Sequence, residues 1–196
     1  MSSVRRVTKG PEERKSELID TAERLFLERG YENTTVSDIV KEVKVAQGTF
    51  YYYFASKQDI LDSVIEREID EPEKDVMHIA CGEGDAAAKL KEMANVILNF
   101  QTAKRGLIEH VHEESNAIMH EKMERRIIAR LAPNIAEVVE DGVSKGLLAT
   151  DYPEETAEFM IAAIIFLFHQ PDIDDDRRER LHAALEKILV KIFGLR

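Results

Sequence analysis

The 196-residue chain has no tryptophan, one cysteine, five prolines and nine glycines. Each scarcity removes a class of protein. The single cysteine, Cys81, has no partner for an internal disulfide, which excludes a disulfide scaffold and fits a reducing, cytoplasmic setting. Cys81 itself is read as a small buried hydrophobe rather than a reactive thiol. So little proline and glycine argues against collagen-like and disordered chains, and no Gly/Pro/Ser-rich linker is seen. No repeat of fixed period points to a solenoid. The longest apolar run, "FMIAAIIFLF" at 159–168, is ten residues, whereas a membrane span needs about 20; no membrane partner is expected. The first dozen residues are polar and basic, so a secretory signal is not expected. A Gly-rich phosphate loop, zinc-type cysteine spacing and G-x-S-x-G are all missing, so no cofactor and no enzymatic activity are expected.

What is present is a chain 44% apolar, ample for a core, with an uneven charge. Residues 1–60 hold ten Lys/Arg and ten Asp/Glu, so the whole net charge of −11 falls on residues 61–196. An acidic total does not exclude a nucleic-acid partner, because binding depends on the local face. Arg5, Arg6 and Lys9 lie in an acid-free opening segment, which by itself reads as a solvated terminus.

The apolar spacing is helical nearly throughout, and no segment alternates as a strand does. Leu18, Ala22, Leu25 and Phe26 form one stripe over 12–29, and Gly30 ends it. Thr35 with Asp38 is a variant capping box opening a short helix with Val36, Ile39, Val40 and Val43 on one side. A break near Lys44 leads to a third helix at about 46–53. Ser56 with Asp59 caps a fourth that runs to about residue 80 and contains Pro72. Further helices are expected at about 86–104, in "LIEHVHEE", at 117–145 through Pro133, at 154–169 after Pro153, and at 175–193. The predicted fold is all-α: a three-helix head with a helix-turn-helix at residues 1–57, and a bundle of about six helices at 58–196.

The stretch "VAQGTFYYYFASK", 45–57, places five rings side by side. Successive helical residues point about 100° apart, so these rings cannot all face one core. Two short helices joined by a turn, the second carrying small polar and aromatic residues, describe a helix-turn-helix whose second helix enters the major groove. Phe50 and Phe54 are then expected inward, with the tyrosines outward against sugar and phosphate. Lys57 stands at a helix N-terminus, where an anion is already favoured.

Residues 22–61, "AERLFLERGYENTTVSDIVKEVKVAQGTFYYYFASKQDIL", resemble the DNA-binding head of TetR-family transcriptional regulators, through "LFLERGYENTTV", "GTFYYYF" and "SKQDIL". The resemblance implies that Thr35 and Ser37 touch the phosphate backbone or a nearby base. It places Gln47, Gly48 and Thr49 nearest the base edges, and Tyr51 and Tyr52 against backbone and thymine methyl groups. Tyr53 stands where the family often has histidine, and Lys57 matches the family's phosphate-binding lysine. Arg5 and Arg6 are added as candidate contacts. Lys44 replaces the usual turn glycine, which requires a left-handed non-glycine residue at a cost of about 1 kcal/mol. Ala46 replaces the usual Ser/Thr cap of the recognition helix, a loss of about 0.5–2 kcal/mol.

For the remainder, the resemblance implies a homodimer, a roughly palindromic double-stranded operator and a small-molecule effector. Phe159, Ala163, Phe166, Leu181, Leu185, Ile188 and Ile192, on two strongly apolar helices, are the candidate dimer surface. Met93, Ile97, Phe100, Leu107, Val111, Met119, Met123 and Ile127 are candidate effector contacts, with His110, Asn99, Gln101 and Arg126 as polar partners. An ordinary filled core is the other reading of those stripes. A rival function is a helical metal protein or enzyme using His110, His112, Glu113 and Glu114, although the Glu-x-x-His order of di-metal bundles is reversed and no second copy exists. A pure interaction adaptor is the third reading, and it leaves the head unexplained.

Overall fold

The computed structural model describes residues 10–103, 117–168 and 174–192. Among them are eight helices and no strand: α1 (Pro11–Arg29), α2 (Val36–Val43), α3 (Gln47–Tyr53), α4 (Lys57–Cys81), α5 (Ala86–Ala103), α6 (Ala117–Ser144), α7 (Pro153–Phe168) and α8 (Asp175–Ile192). The all-α expectation holds, and helix ends fall within a residue or two of the spacing-based ranges. The helix expected in "LIEHVHEE" lies outside the described residues.

Local chemistry explains the ends. Pro11 sits in the first turn of α1 with Glu12 and Glu13, which suit the positive end of the helix dipole. Ser56 Oγ accepts from the Asp59 N–H at 3.1 Å, and Asp59 Oδ2 accepts from the Ala55 N–H at 2.8 Å, opening α4. Pro153 begins α7 with Glu154 and Glu155 behind it. Neither interior proline breaks its helix: α4 runs on through Pro72 and α6 through Pro133. Cys81, read as buried, is instead exposed in the last turn of α4, because that turn projects past the packed stripe ending at Ile79.

α4 is the spine. It packs on α1 of the head and on α5 and α6 of the body, while α5 and α6 pack on each other and on α7. Its buried residues Ile60, Leu61, Val64, Ile65, Ile69, Val76 and Ile79 contribute to both sides. One continuous apolar core results, from Leu18 and Phe26 in the head to Ile161 and Phe168 in α7. Each large side chain fully buried in it is worth about 1.5–3 kcal/mol.

Gly142, in α6, packs tightly against its neighbours. A β-carbon there would lie 2.4 Å from Leu148 Cδ1 and 2.8 Å from the Ala86 β-carbon. Gly142→Ala should therefore lower stability by about 1–3 kcal/mol through overpacking, against the helix-propensity gain alanine normally gives. Urea unfolding of the two proteins checks this; an alanine variant with a raised midpoint would show that α5 and α6 have room to spare.

Candidate nucleic-acid interface

Three short-range devices shape the helix-turn-helix. First, Thr34 is fully buried, and its hydroxyl donates to the Gly30 carbonyl at 2.9 Å and lies 3.2 Å from the Leu25 carbonyl. Together with the Gly30 N–H to Phe26 bond (2.9 Å) it closes the end of α1 and aims the chain at α2. Second, Thr35 and Asp38 form a full capping box. The Asp38 N–H donates to Thr35 Oγ1 at 3.1 Å, and Asp38 Oδ2 receives the Thr35 N–H at 2.9 Å and its hydroxyl at 2.5 Å. Hydrogen bonds from the Thr35 side chain, then its backbone, hold the Asp38 carboxyl below its ordinary pKa. Third, Lys44 adopts φ 60°, ψ 45°, the left-handed conformation that the missing glycine required. Its N–H returns to Lys41 and Val40, and Val45 N–H to Val40 at 3.0 Å, so the turn is tight. Ala46 caps α3 without any side-chain bond, as its chemistry demands.

α3 then divides as the rings predicted. Phe50 and Phe54 are buried, in contact with each other at 5.5 Å between ring centroids. Tyr51 is 53% and Tyr52 77% exposed. Gln47 with Tyr51, and Gly48 with Tyr52, are each four residues apart, so the four make one contiguous outward face; Gln47 and Gly48 are exposed as well. Thr49 and Tyr53 are half-buried at its edge, with Tyr53 packed edge-on against Tyr52 at 4.8 Å. Thr35 and Ser37 are exposed at the start of α2, but the Thr35 hydroxyl is committed to its cap. Lys57 is half-buried, donating to the Tyr31 carbonyl at 2.8 Å with its ammonium 4.1 Å from the Tyr31 ring centre. An ammonium has three N–H groups, so two remain for other acceptors. Arg5 and Arg6 lie outside the described residues.

Three carboxylates of the head are occupied internally. Asp38 and Asp59 serve caps, and Glu42 pairs with Arg24 of α1 at 2.9 Å. Lys41 and Lys44 stand exposed at the end of α2. The result is a neutral, ring-bearing face with cations beside it. The head is fastened to α4 by Arg67, whose guanidinium donates to Asp20 and Glu23 of α1. Sequence reasoning missed Thr34, Tyr31 and Arg67. A buried threonine just before an N-cap is a usable signal for the first; the other two act across 26 and 44 or more positions and leave no local trace.

Away from the head, Met93, Ile97, Met119, Met123 and Ile127 are all buried in one cluster, with Phe100 partly buried against it. Arg126 is turned to α4, 2.8 Å from Glu66. Asn99 is exposed. Leu107, His110, Val111, His112, Glu113 and Glu114 lie outside the described residues, as does the Gln101 side chain. Among the described residues no group of three or more His, Cys, Asp and Glu is placed to hold a metal ion, and no helix is long and apolar enough to cross a membrane. On α7, Phe159, Ala163 and Phe166 are exposed; on α8, Leu181 and Leu185 are half-buried and Ile188 exposed. All of these but Phe166 border an apolar groove of roughly 460 Å³ between the two helices. The Ile192 side chain lies outside the described residues.

A helical head with a tight turn and an outward polar, ring-bearing face, joined to a helical body through the shared α4, defines a helix-turn-helix protein. Family comparison narrows this. Residues 18–64 match the bacterial regulatory proteins of the tetR family, and 99–187 match the tetracyclin repressor-like C-terminal domain. Relatives include the transcriptional repressor KstR2 of Rhodococcus jostii, 26% identical over 76% of this chain and 75% of that protein. The regulator HbdR of an Aromatoleum strain is 39% identical over 38% of this chain and 34% of its own length. The first curated relatives are matched over about a third to a half of their length. Among solved structures, a TetR-family regulator from Syntrophomonas wolfei has a TM-score of 0.73 at 23% identity, covering 93% of this chain and 97% of that one. The fatty acid degradation regulator FadR of Bacillus halodurans has 0.70 at 22%, covering 96% and 98%. The chain belongs to the TetR family of transcriptional regulators, which are not enzymes.

The inward and outward faces of α3 predict opposite mutational costs. Phe50→Ala should remove about 3–5 kcal/mol of stability, whereas Tyr52→Ala should stay within about 0.5 kcal/mol. Thr35→Ala should cost about 0.5–2 kcal/mol at neutral pH. Asp38 has a lowered folded-state pKa, so its share of the cap is present above its ordinary value of 3.8 and is lost as pH falls through the lower folded value. The penalty of Thr35→Ala should therefore shrink in strong acid. Denaturant titrations at neutral pH and in that acid range check both statements; equal Phe50 and Tyr52 penalties would contradict the assigned faces.

Proposed function

We propose that this chain is a DNA-binding repressor of transcription that grips a roughly palindromic double-stranded operator as a homodimer and is released by a small, largely apolar effector. The observation that carries the reading is the outward face of α3, Gln47, Gly48, Tyr51 and Tyr52, held rigid by Phe50 and Phe54 buried beneath it. Side chains on such a platform reach base edges without loss of register. In this reading residues 1–57 form the DNA-binding head and 58–196 the dimerisation and effector domain, acting in the cytoplasm. Gln47, Gly48 and Thr49 lie nearest the bases. Tyr51, Tyr52, Tyr53, Ser37, Thr35, Lys57, Arg5 and Arg6 serve the sugar-phosphate backbone, Thr35 through groups its cap leaves free.

The dimer is supported by α7. Phe159 is 78% and Phe166 66% exposed, with exposed Ala162 and Ala163 between them. The spacing Phe-x-x-Ala-Ala-x-x-Phe reads the same in both directions about a point between the alanines. A two-fold contact needs just this self-complementarity, because residue i meets j and j meets i. Small residues at the centre let two helices cross closely, and Phe159 and Ala163 border an apolar groove beside α8 that a second copy could cover. The effector reading is supported by Met93, Ile97, Met119 and Met123 gathered between α5 and α6, directly behind α4. Thioether side chains there adapt to an inserted apolar molecule.

Selection of bound fragments from a random DNA pool tests the proposal and supplies the operator motif. Affinity should fall steeply with salt, since each neutralised phosphate releases counterions. Tyr51→Ala should weaken binding while leaving the fold intact, and Gln47→Ala should shift the recovered sequence by about 1–3 kcal/mol at its base contact. Purified protein with no affinity for any duplex at low salt would sink the proposal. Leu185→Asp should yield monomer or insoluble protein, checked by sedimentation; a stable wild-type monomer counts against the dimer. Lipophilic compounds that raise the melting temperature of wild type should act less on Phe100→Ala and Met123→Ala. Equal shifts in all three would place the effector elsewhere.

A further inference from the structure

The charged seam between α4 and α6 is accounted for neither by the DNA-facing surface nor by the apolar core. α4 offers Asp62, Glu66, Asp70 and Glu73, three or four residues apart and so on one face. α6 answers with Lys122, Arg126 and Arg130, four apart. Lys122 meets Asp62 at 2.6 Å and Arg126 meets Glu66 at 2.8 Å. Arg130 does more. Its Nη1 donates to the Glu66 carbonyl oxygen at 3.0 Å and to Glu66 Oε2 at 2.9 Å, while its Nη2 donates to Asp70 Oδ1 at 2.9 Å and to Glu73. One largely buried guanidinium thus holds three carboxylates spread over two turns of α4.

Between those carboxylates stands Pro72, buried within α4. Proline has no N–H for the carbonyl four residues back, here that of Glu68, and its ring crowds that oxygen. An interior proline is one of the few identifiable origins of a helix bend. Glu66 and Asp70 precede it and Glu73 follows it, so the grip of Arg130 crosses the weak point.

We propose that Arg130 is a positioning residue that splints α4 across Pro72 and thereby fixes the direction in which the first half of α4 holds the head. The first half of α4 is tied to α1 through Arg67, Asp20 and Glu23. A change of angle at Pro72 is therefore carried to α3 rather than absorbed at the joint. The splint is a property of the chain alone; its consequence for DNA rests on the proposed repressor function.

The test uses the full chain with nitroxide labels on the native Cys81 and on Lys41→Cys, diluted with unlabelled chain so that pulsed resonance reads distances within one chain. Both positions are exposed, one on the head and one beyond Pro72. The parent should give one narrow distance. Arg130→Gln should broaden or shift it, and so should Glu73→Gln, a milder change that takes the charge from the tie beyond the proline, and Glu73→Ala, which removes that tie and decides the matter if Arg130→Gln does not fold. Adding Pro72→Ala to any of these variants should restore the narrow distance, because alanine returns the missing N–H and leaves no weak point to span. An unchanged distance in the variants, or a broadening that Pro72→Ala does not reverse, overturns the splint.

On DNA, duplexes carrying the recovered half-sites at varied separations should show a preferred spacing for the parent. Glu73→Gln should reduce the discrimination between best and next spacing by about fivefold or more. Equal weakening at every spacing would reduce the role to stability and overturn the positioning claim. A parent protein that binds no duplex removes the repressor function, and the distance measurement still decides the splint.

Discussion

Helix α4 has to be covered on two sides at once, and the rest of the molecule is arranged around that requirement. Its apolar residues face α1 in one direction and α5 and α6 in the other, so the head and the body share a wall rather than a linker. An apolar contact has no preferred direction and tolerates sliding. What fixes the register are the guanidinium groups: Arg67 pointing to the head, Arg126 and Arg130 pointing from the body. Forked N–H groups donate to carboxylates only in particular geometries. The direction of α3 relative to the body therefore follows from a few charged contacts laid over a broad apolar seam.

These contacts are better understood as specifying the arrangement than as supplying stability. Exposed ion pairs contribute about 0–1 kcal/mol each, and the partners of Arg130 remain 26–49% exposed. Removing one partner of a half-buried cluster costs more than forming the pair contributes, because the remaining charges stay desolvated. Arg130, Glu66, Asp70 and Glu73 are thus coupled: no one of them can be changed without leaving another wrongly placed. By contrast Arg125 with Glu121, highly exposed on one helix face, is of the weak local kind.

Much of the fold was legible because it is written in short-range terms. Thr35, Ser56 and Pro153 mark helix starts, Gly30 a helix end, and the 3.6-residue stripes of α1, α5 and α6 name their buried sides. The division of α3 into inward and outward faces was legible for the same reason. Five rings on two turns force some outward, and the capping box follows from residue type, whereas the left-handed Lys44 was expected only from the resemblance. Cys81 was misjudged because composition says nothing of where a helix outruns its core. The internal partners of Lys57 and Arg126, Tyr31 and Glu66, were not foreseen, since no local spacing reveals them. Pairings such as Arg130 with Glu66, 64 positions apart, become visible only once packing has brought two helices together.

The uneven charge noted in the sequence gains a physical sense from this arrangement. α3 carries no ionised side chain at all, and the acids nearest it are consumed by caps or by Arg24. On the proposed DNA-binding reading, attraction to phosphates would come from the flanks, Lys41, Lys44, Lys57 and the basic residues of the opening sequence, while the α3 face would contribute hydrogen bonds and ring contacts that depend on the base sequence. The acidic body adds a repulsive field at the opposite end of the same particle. Such a field falls off over about 8–10 Å at ordinary salt, so it scarcely touches the head once the head is docked. It does act on any encounter in which the body approaches DNA first. A neutral reading face, basic edges and an acidic body together disfavour wrong orientations more than they favour tight non-specific binding. In a repressor, that combination leaves discrimination to Gln47 and its neighbours and to the direction in which α4 presents them.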